Sequence, residues 1–99
     1  MKGYRLSALA QKDIDSIWEH LAANGGMASA ERFVWRLYEL LGLLGQNPAM
    51  GRLSRMIAKD LRKFPLDNYL VYYRVQEGRV FVARILHGRR RQRKAYLTE

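Results

Sequence analysis

A chain of 99 residues, 48% of them apolar, holds material for one hydrophobic core and little room for a second, so a single domain over 1–99 is expected, with a basic tail from about residue 89. The absence of cysteine excludes disulfides and thiolate metal sites and suits a reducing compartment; no apolar run approaches the roughly 18 residues of a membrane span, so a cytoplasmic protein with no membrane partner is expected. The net charge of +9 is lopsided, because five basic and five acidic residues cancel up to Ala49 while thirteen basic residues face four acidic ones beyond it. Such asymmetry points to an anionic partner, the alternative being a solvated face kept for solubility.

In chain order, Tyr4 to Ser7 reads as a short first strand, with Ser7 placed to cap a following helix. Ile14, Ile17, Trp18 and Leu21 fall at i, i+3, i+4 and i+7, with Lys12, Asp13, Asp15, Ser16 and Glu19 on the other side, and Asn24-Gly25-Gly26 stops the helix. A second stripe, Ala30, Phe33, Val34, Leu37, Leu41 and Leu44, has the same period and ends at Gly45-Gln46-Asn47-Pro48. These two helices form an antiparallel hairpin. Trp18 continues its stripe and is expected to be buried; Trp35 falls off the second stripe, where an exposed aromatic suggests a protein interface.

Past Pro48 the period changes. Met50 to Asp60 reads as a connecting loop with one helical turn. Leu61 to Leu66 is a strand that Pro65 confines to a sheet edge or a strand end. Asp67-Asn68 is a turn signal, and Tyr69–Val75 and Val80–His87 are rich in β-branched and aromatic residues. The expected architecture is α+β, in the order β-α-α-β-β-β, with the helical hairpin on one face of a small, mainly antiparallel sheet. For the last hairpin, a three-residue loop with Gly78 left-handed spares Glu77 a positive φ. That register sets Leu70 opposite Arg84 and Tyr72 opposite Val82. Arg74 and Arg84 then share an exposed face with Tyr72, while Val71, Tyr73, Val75, Phe81, Ala83 and Ile85 face the helices.

The chemistry-bearing residues cluster late. The two histidines and the scattered carboxylates offer neither metal spacing nor a nucleophile–base pair, so no metal or cofactor is expected. His20 reads as a surface residue of the first helix. His87, ending a strand beside arginines that favour its neutral form, could serve as a general base or hydrogen-bond a turn. Six of the eleven residues from Arg84 to Lys94 are basic. Arginine dominates that run, which favours bidentate contact with phosphate or carboxylate over diffuse charge.

Element order and motifs together carry a resemblance over about Tyr4 to Arg91. Asn47-Pro48-Ala49-Met50-Gly51-Arg52 follows the second helix, Leu61-Arg62-Lys63-Phe64-Pro65 lies on the second strand, Asn68-Tyr69 precedes Tyr72-Tyr73-Arg74-Val75, and Arg84-Ile85-Leu86-His87-Gly88-Arg89-Arg90 stands at the end of the sheet. The pattern resembles the ParE branch of the RelE/ParE toxins. The resemblance implies the toxin of a type II toxin-antitoxin pair, neutralised in a hetero-oligomer by an antitoxin whose C-terminal segment wraps around it. ParE-type members are associated with poisoning DNA gyrase, and a binding role then falls to Arg74, Arg84, His87, Arg89, Arg90, Arg91 and Arg93. RelE-type members cleave mRNA on the ribosome; on that alternative the resemblance assigns catalysis to Lys63, Arg84, Arg90 and Tyr96. Two positions depart from the ribonuclease pattern, Leu61 and Leu70 standing where a lysine and an arginine are expected. Arg91 stands where ParE-type members commonly carry an acid. A third alternative is a degenerate toxin that serves only as an antitoxin partner.

Overall fold

The computed structural model describes residues 3–88. Strand β1 (Tyr4–Leu6) leads into helices α1 (Ala8–Gly25) and α2 (Met27–Gln46), a 3-10 turn at Pro48–Met50, and strands β2 (Arg52–Leu53), β3 (Arg62–Leu66), β4 (Tyr69–Gln76) and β5 (Arg79–His87). The sheet order is β1-β5-β4-β3-β2. β1 pairs with β5 in parallel and the remaining pairs are antiparallel, so the expected α+β plan holds. The segment expected to be a plain connecting loop contributes the two-residue edge strand β2. Pairing of β2 stops at Lys63, which leaves Pro65 on the open edge of β3, where a missing N–H costs no ladder bond. Among the described residues no helix is long and apolar enough to cross a membrane.

Ser7 joins the two layers. Its hydroxyl accepts the Ala10 N–H at 2.9 Å as the N-cap of α1 and donates to the Ala83 carbonyl at 2.7 Å. One residue, Gly26 at φ 84°, separates the helices; a side chain would resist that conformation. The apolar stripes of α1 and α2 then meet the inner face of the sheet. Ala10, Ile14, Ile17, Phe33, Leu37, Leu41 and Leu44 pack with Val71, Tyr73, Val80, Val82 and Ile85. Trp18 is half-buried and outside this cluster. On the helix wheel it lies about 80° from Ala10, at the margin of the stripe, and Leu21 takes the inward position instead.

The β4–β5 hairpin differs from the three-residue loop expected. Gln76 pairs with Arg79 across a two-residue turn, with Glu77 at φ 52° and Gly78 at φ 73°. A primed turn matches the right-handed twist of the strands, and that gain outweighs the strain on Glu77. Parity is restored by a bulge opposite Tyr72/Tyr73, beyond which Tyr72 pairs with Arg84 and Leu70 with Leu86. The expected Leu70–Arg84 pairing is therefore replaced. Before the bulge the faces are exchanged as well: Val80 and Val82 turn inward, while Phe81, opposite Arg74, turns outward.

A second, smaller cluster covers part of the outer sheet face. Leu61, Tyr72 and Leu86 are buried there beneath Ile57 and Ala58, with Leu70 alongside. Burial raises the phenol pKa of Tyr69, Tyr72 and Tyr73 above the ordinary 10.0, with the Gly51 hydrogen bond and the charge of Arg62 pulling Tyr73 partly back. In the unfolded chain these phenols ionise near pH 10, whereas the folded state keeps its protons to higher pH. The stability they support is complete below that value and declines as pH rises through the folded pKa values. Denaturant titrations at intervals between about pH 8 and 11 should show the midpoint falling steadily above pH 10; a flat midpoint would count against it.

Candidate functional site

Three strands set a row of polar residues across the outer sheet face. Lys63 on β3 pairs with Tyr72 on β4, which pairs with Arg84 on β5, so all three side chains leave the same face. Arg74, two residues along β4, joins them. The two arginines are engaged by carboxylates from outside the sheet. Arg74 Nε donates to Asp60 Oδ1 at 3.3 Å. Arg84 is held more closely: Nε donates to Asp13 Oδ2 at 2.7 Å and Nη2 to Asp13 Oδ1 at 2.8 Å, a two-pronged pair with both side chains only 12% exposed. Asp13 Oδ2 also accepts the Ile85 N–H at 2.9 Å.

The topology explains this contact. β1 ends at Leu6, opposite Val82, so among the described residues the β5 edge from residue 84 onward has no strand beside it and meets α1 instead. Donating to the Asp13 carboxylate strengthens the hold of Arg84 on its proton, against an opposing effect of burial. Arg84 thus lies in an ion pair rather than on the exposed face expected for it. Asp13 carries no local sequence signal for that role, being one of several acids on the polar side of α1.

His87 projects to the other side. Its ring meets that of Tyr69 edge-on, 5.3 Å between centroids, and Tyr69 meets Phe33 likewise at 5.2 Å. A cleft of about 370 Å³ beside α1 is lined by Asp13, Ser16, His20, Tyr69, Arg84 and His87 among others, so both histidines of the chain border one depression. At the end of β5 the Gly88 N–H donates to the Asn68 carbonyl at 2.7 Å, tying the start of the basic segment to the β3–β4 turn. Arg89, Arg90, Arg91, Arg93 and Tyr96 lie outside the described residues.

At the far end of the outer face, Arg5, Arg79 and Phe81 border an open depression of about 460 Å³ with Gln76 and Glu77. The first two were not singled out by sequence, because only the sheet register sets β1 beside the β4–β5 turn. Among the described residues no group of three or more His, Asp or Glu side chains is placed to hold a metal. What the arrangement offers is a basic sheet face whose innermost arginine is already neutralised, leading at one corner to the arginine-rich segment.

Residues 4–92 match the family model described as the ParE toxin of the type II toxin-antitoxin system parDE. The chain is 31% identical over 87 residues to Toxin ParE1 of Caulobacter vibrioides, spanning 88% of this chain and 90% of that protein. It is 32% identical over 87 residues to Toxin ParE1 of Mycobacterium tuberculosis, spanning 87% and 89% respectively. Among solved structures, that of the chromosomal ParDE system from P. aeruginosa superposes with a TM-score of 0.76 at 24% identity, covering 88% of this chain and 96% of that one. At that identity the likeness speaks to the fold.

Proposed function

Because the chain belongs to the ParE toxin family of type II toxin-antitoxin systems, we propose that it is a non-catalytic inhibitor that binds DNA gyrase through its basic C-terminal half and is neutralised by a cognate antitoxin. The observation that supports this over ribonuclease chemistry is the small outer-face cluster. Leu61 is fully buried in it with Tyr72 and Leu86, and Leu70 packs alongside. These are the two positions where the ribonuclease resemblance calls for cations. A cation there stabilises the developing charge on a phosphate, and its loss costs on the order of several kcal/mol of transition-state binding. Arg84, a further member of the ribonuclease set, commits the Nε–Nη2 edge of its guanidinium to Asp13.

In this reading Arg74, His87, Arg89, Arg90, Arg91 and Arg93 contact the target or the antitoxin, with Arg84 as the anchor that holds the end of β5 in place. The similar P. aeruginosa protein comes from a ParDE system, which supports an antitoxin partner here too. The charge of +9 calls for an acidic, amphipathic antitoxin segment, and raising the ionic strength should weaken its binding.

Expression of the toxin without its antitoxin tests the target. The expected result is induction of the DNA-damage response and filamentous growth while bulk translation continues, and the purified chain should inhibit supercoiling by gyrase. Immediate translation arrest, with mRNA cut at codon boundaries in wild type but intact in Arg90→Ala and Tyr96→Phe, would overturn the proposal and establish the ribonuclease.

A further inference from the structure

The outward side of α2 carries an apolar patch that the described residues leave uncovered. Trp35 is 74% exposed and Met27 58%, and Val34, Trp35 and Tyr38 line a nearly wholly apolar depression of about 230 Å³. Beside it sits Gly42. A Cβ built there meets nothing within 4 Å, so packing among the described residues does not require glycine, and a mid-helix glycine is a poorer choice than alanine. Trp35, Tyr38, Glu39 and Gly42 stand at i, i+3, i+4 and i+7, which sets the large indole and the gap on one face about 10.5 Å apart along the helix.

We propose that this face binds a second copy of the chain, with the two α2 helices antiparallel about a twofold axis passing between residues 38 and 39. Under that symmetry position 35 of one copy faces position 42 of the other, so each Trp35 lies over the Gly42 gap of its partner. A surface holding both the knob and the gap, equally far from one axis, is self-complementary in the sense that a twofold interface requires.

Charge selects the same occupant. Glu31, Arg32, Arg36 and Glu39 cancel on the exposed side of α2, as do all charges up to Ala49, while the whole excess of +9 lies beyond. Two copies meeting through their helix layers keep the basic sheet faces on the outside, apart from one another. An acidic partner segment, by contrast, finds no net attraction on α2. With one aromatic anchor per copy, the association should be weak, in the micromolar range or above.

Sedimentation equilibrium of the full chain should show reversible dimers at high concentration. Trp35→Ala, which removes an exposed side chain, and Gly42→Leu, which fills the gap, should each weaken association at least about tenfold with an unchanged far-UV spectrum. Register is read separately, because the chain has no cysteine and a single introduced thiol reports alone. Glu39→Cys, next to the axis, should form a disulfide-linked dimer on mild oxidation, whereas Glu31→Cys, which faces position 46 of the partner, should not. A wild-type chain that stays monomeric, association unchanged in Trp35→Ala, or equal crosslinking at both thiols would overturn the proposal. A Trp35 fluorescence change seen with added antitoxin, but never with rising toxin concentration, would assign the face to the antitoxin and likewise overturn it.

Discussion

Asp13→Ala is expected to lower the stability of the fold by about 3 kcal/mol, far more than a surface ion pair is worth. Two groups lose a hydrogen-bond acceptor at once. The Arg84 guanidinium, with only 12% of its side chain exposed, keeps its charge with no carboxylate at 2.7 and 2.8 Å, and the Ile85 N–H loses an acceptor at 2.9 Å. A residual 12% exposure on each side chain lets water recover part of the loss, which places the cost at the low end of the roughly 3–5 kcal/mol seen when one member of a buried pair is removed. In a domain this small the melting temperature should drop by about 15 °C. The double variant Asp13→Ala/Arg84→Met should regain part of it, since the cation that lost its carboxylate is then removed as well. A single-variant loss below about 1 kcal/mol in urea unfolding would mean that the pair is solvated and that Arg84 is available for a ligand.

Adjacent tyrosines should respond to one substitution with opposite signs. The Tyr73 hydroxyl donates to the Pro48 carbonyl at 2.8 Å and accepts the buried Gly51 N–H at 2.7 Å, fastening the turn after α2 to the middle of the sheet. Tyr73→Phe leaves both backbone groups unpaired and should cost about 1–3 kcal/mol. Gly51→Ala should act in the same direction, because a Cβ there would overlap the Tyr73 hydroxyl and meet the Lys63 carbonyl at 2.9 Å. Tyr72 is equally buried, yet among the described residues its hydroxyl has no hydrogen-bond partner. Tyr72→Phe removes that cost and should stabilise the fold by about 1 kcal/mol or more. Chemical denaturation of the two variants side by side decides the matter: if both are destabilised, the Tyr72 hydroxyl makes a bond.

Whether a feature is legible in the sequence depends on whether its cause is local. The helical stripes, the Ser7 cap, the Asn24-Gly25-Gly26 stop and the Asp67-Asn68 turn all act within a few residues, so the elements and their order followed from period and turn chemistry alone. The position of Pro65 on an open edge followed from its missing N–H, and the exposure of Trp35 from its offset on the helix. The concentration of charge beyond Ala49, and with it an anionic partner as the expectation, is likewise a property of the chain itself.

What the tertiary structure decided are the outcomes in which distant groups compete. A local argument about φ favoured three residues in the last hairpin, but the twist of the paired strands selected two and passed the odd residue to a bulge. That choice turned Val80 and Val82 inward and Phe81 outward. Trp18 and Leu21 are both apolar at helical spacing, and only the angle at which α1 meets the sheet determines which one packs inside. Asp13 and Arg84, 71 residues apart, become partners because β1 is too short to cover the end of β5, a fact about lengths and layers that no window of sequence contains. Leu61 and Leu70 look like mere gaps in a charged pattern until the loop carrying Ile57 and Ala58 folds over them, and burial then makes their apolar character a structural requirement.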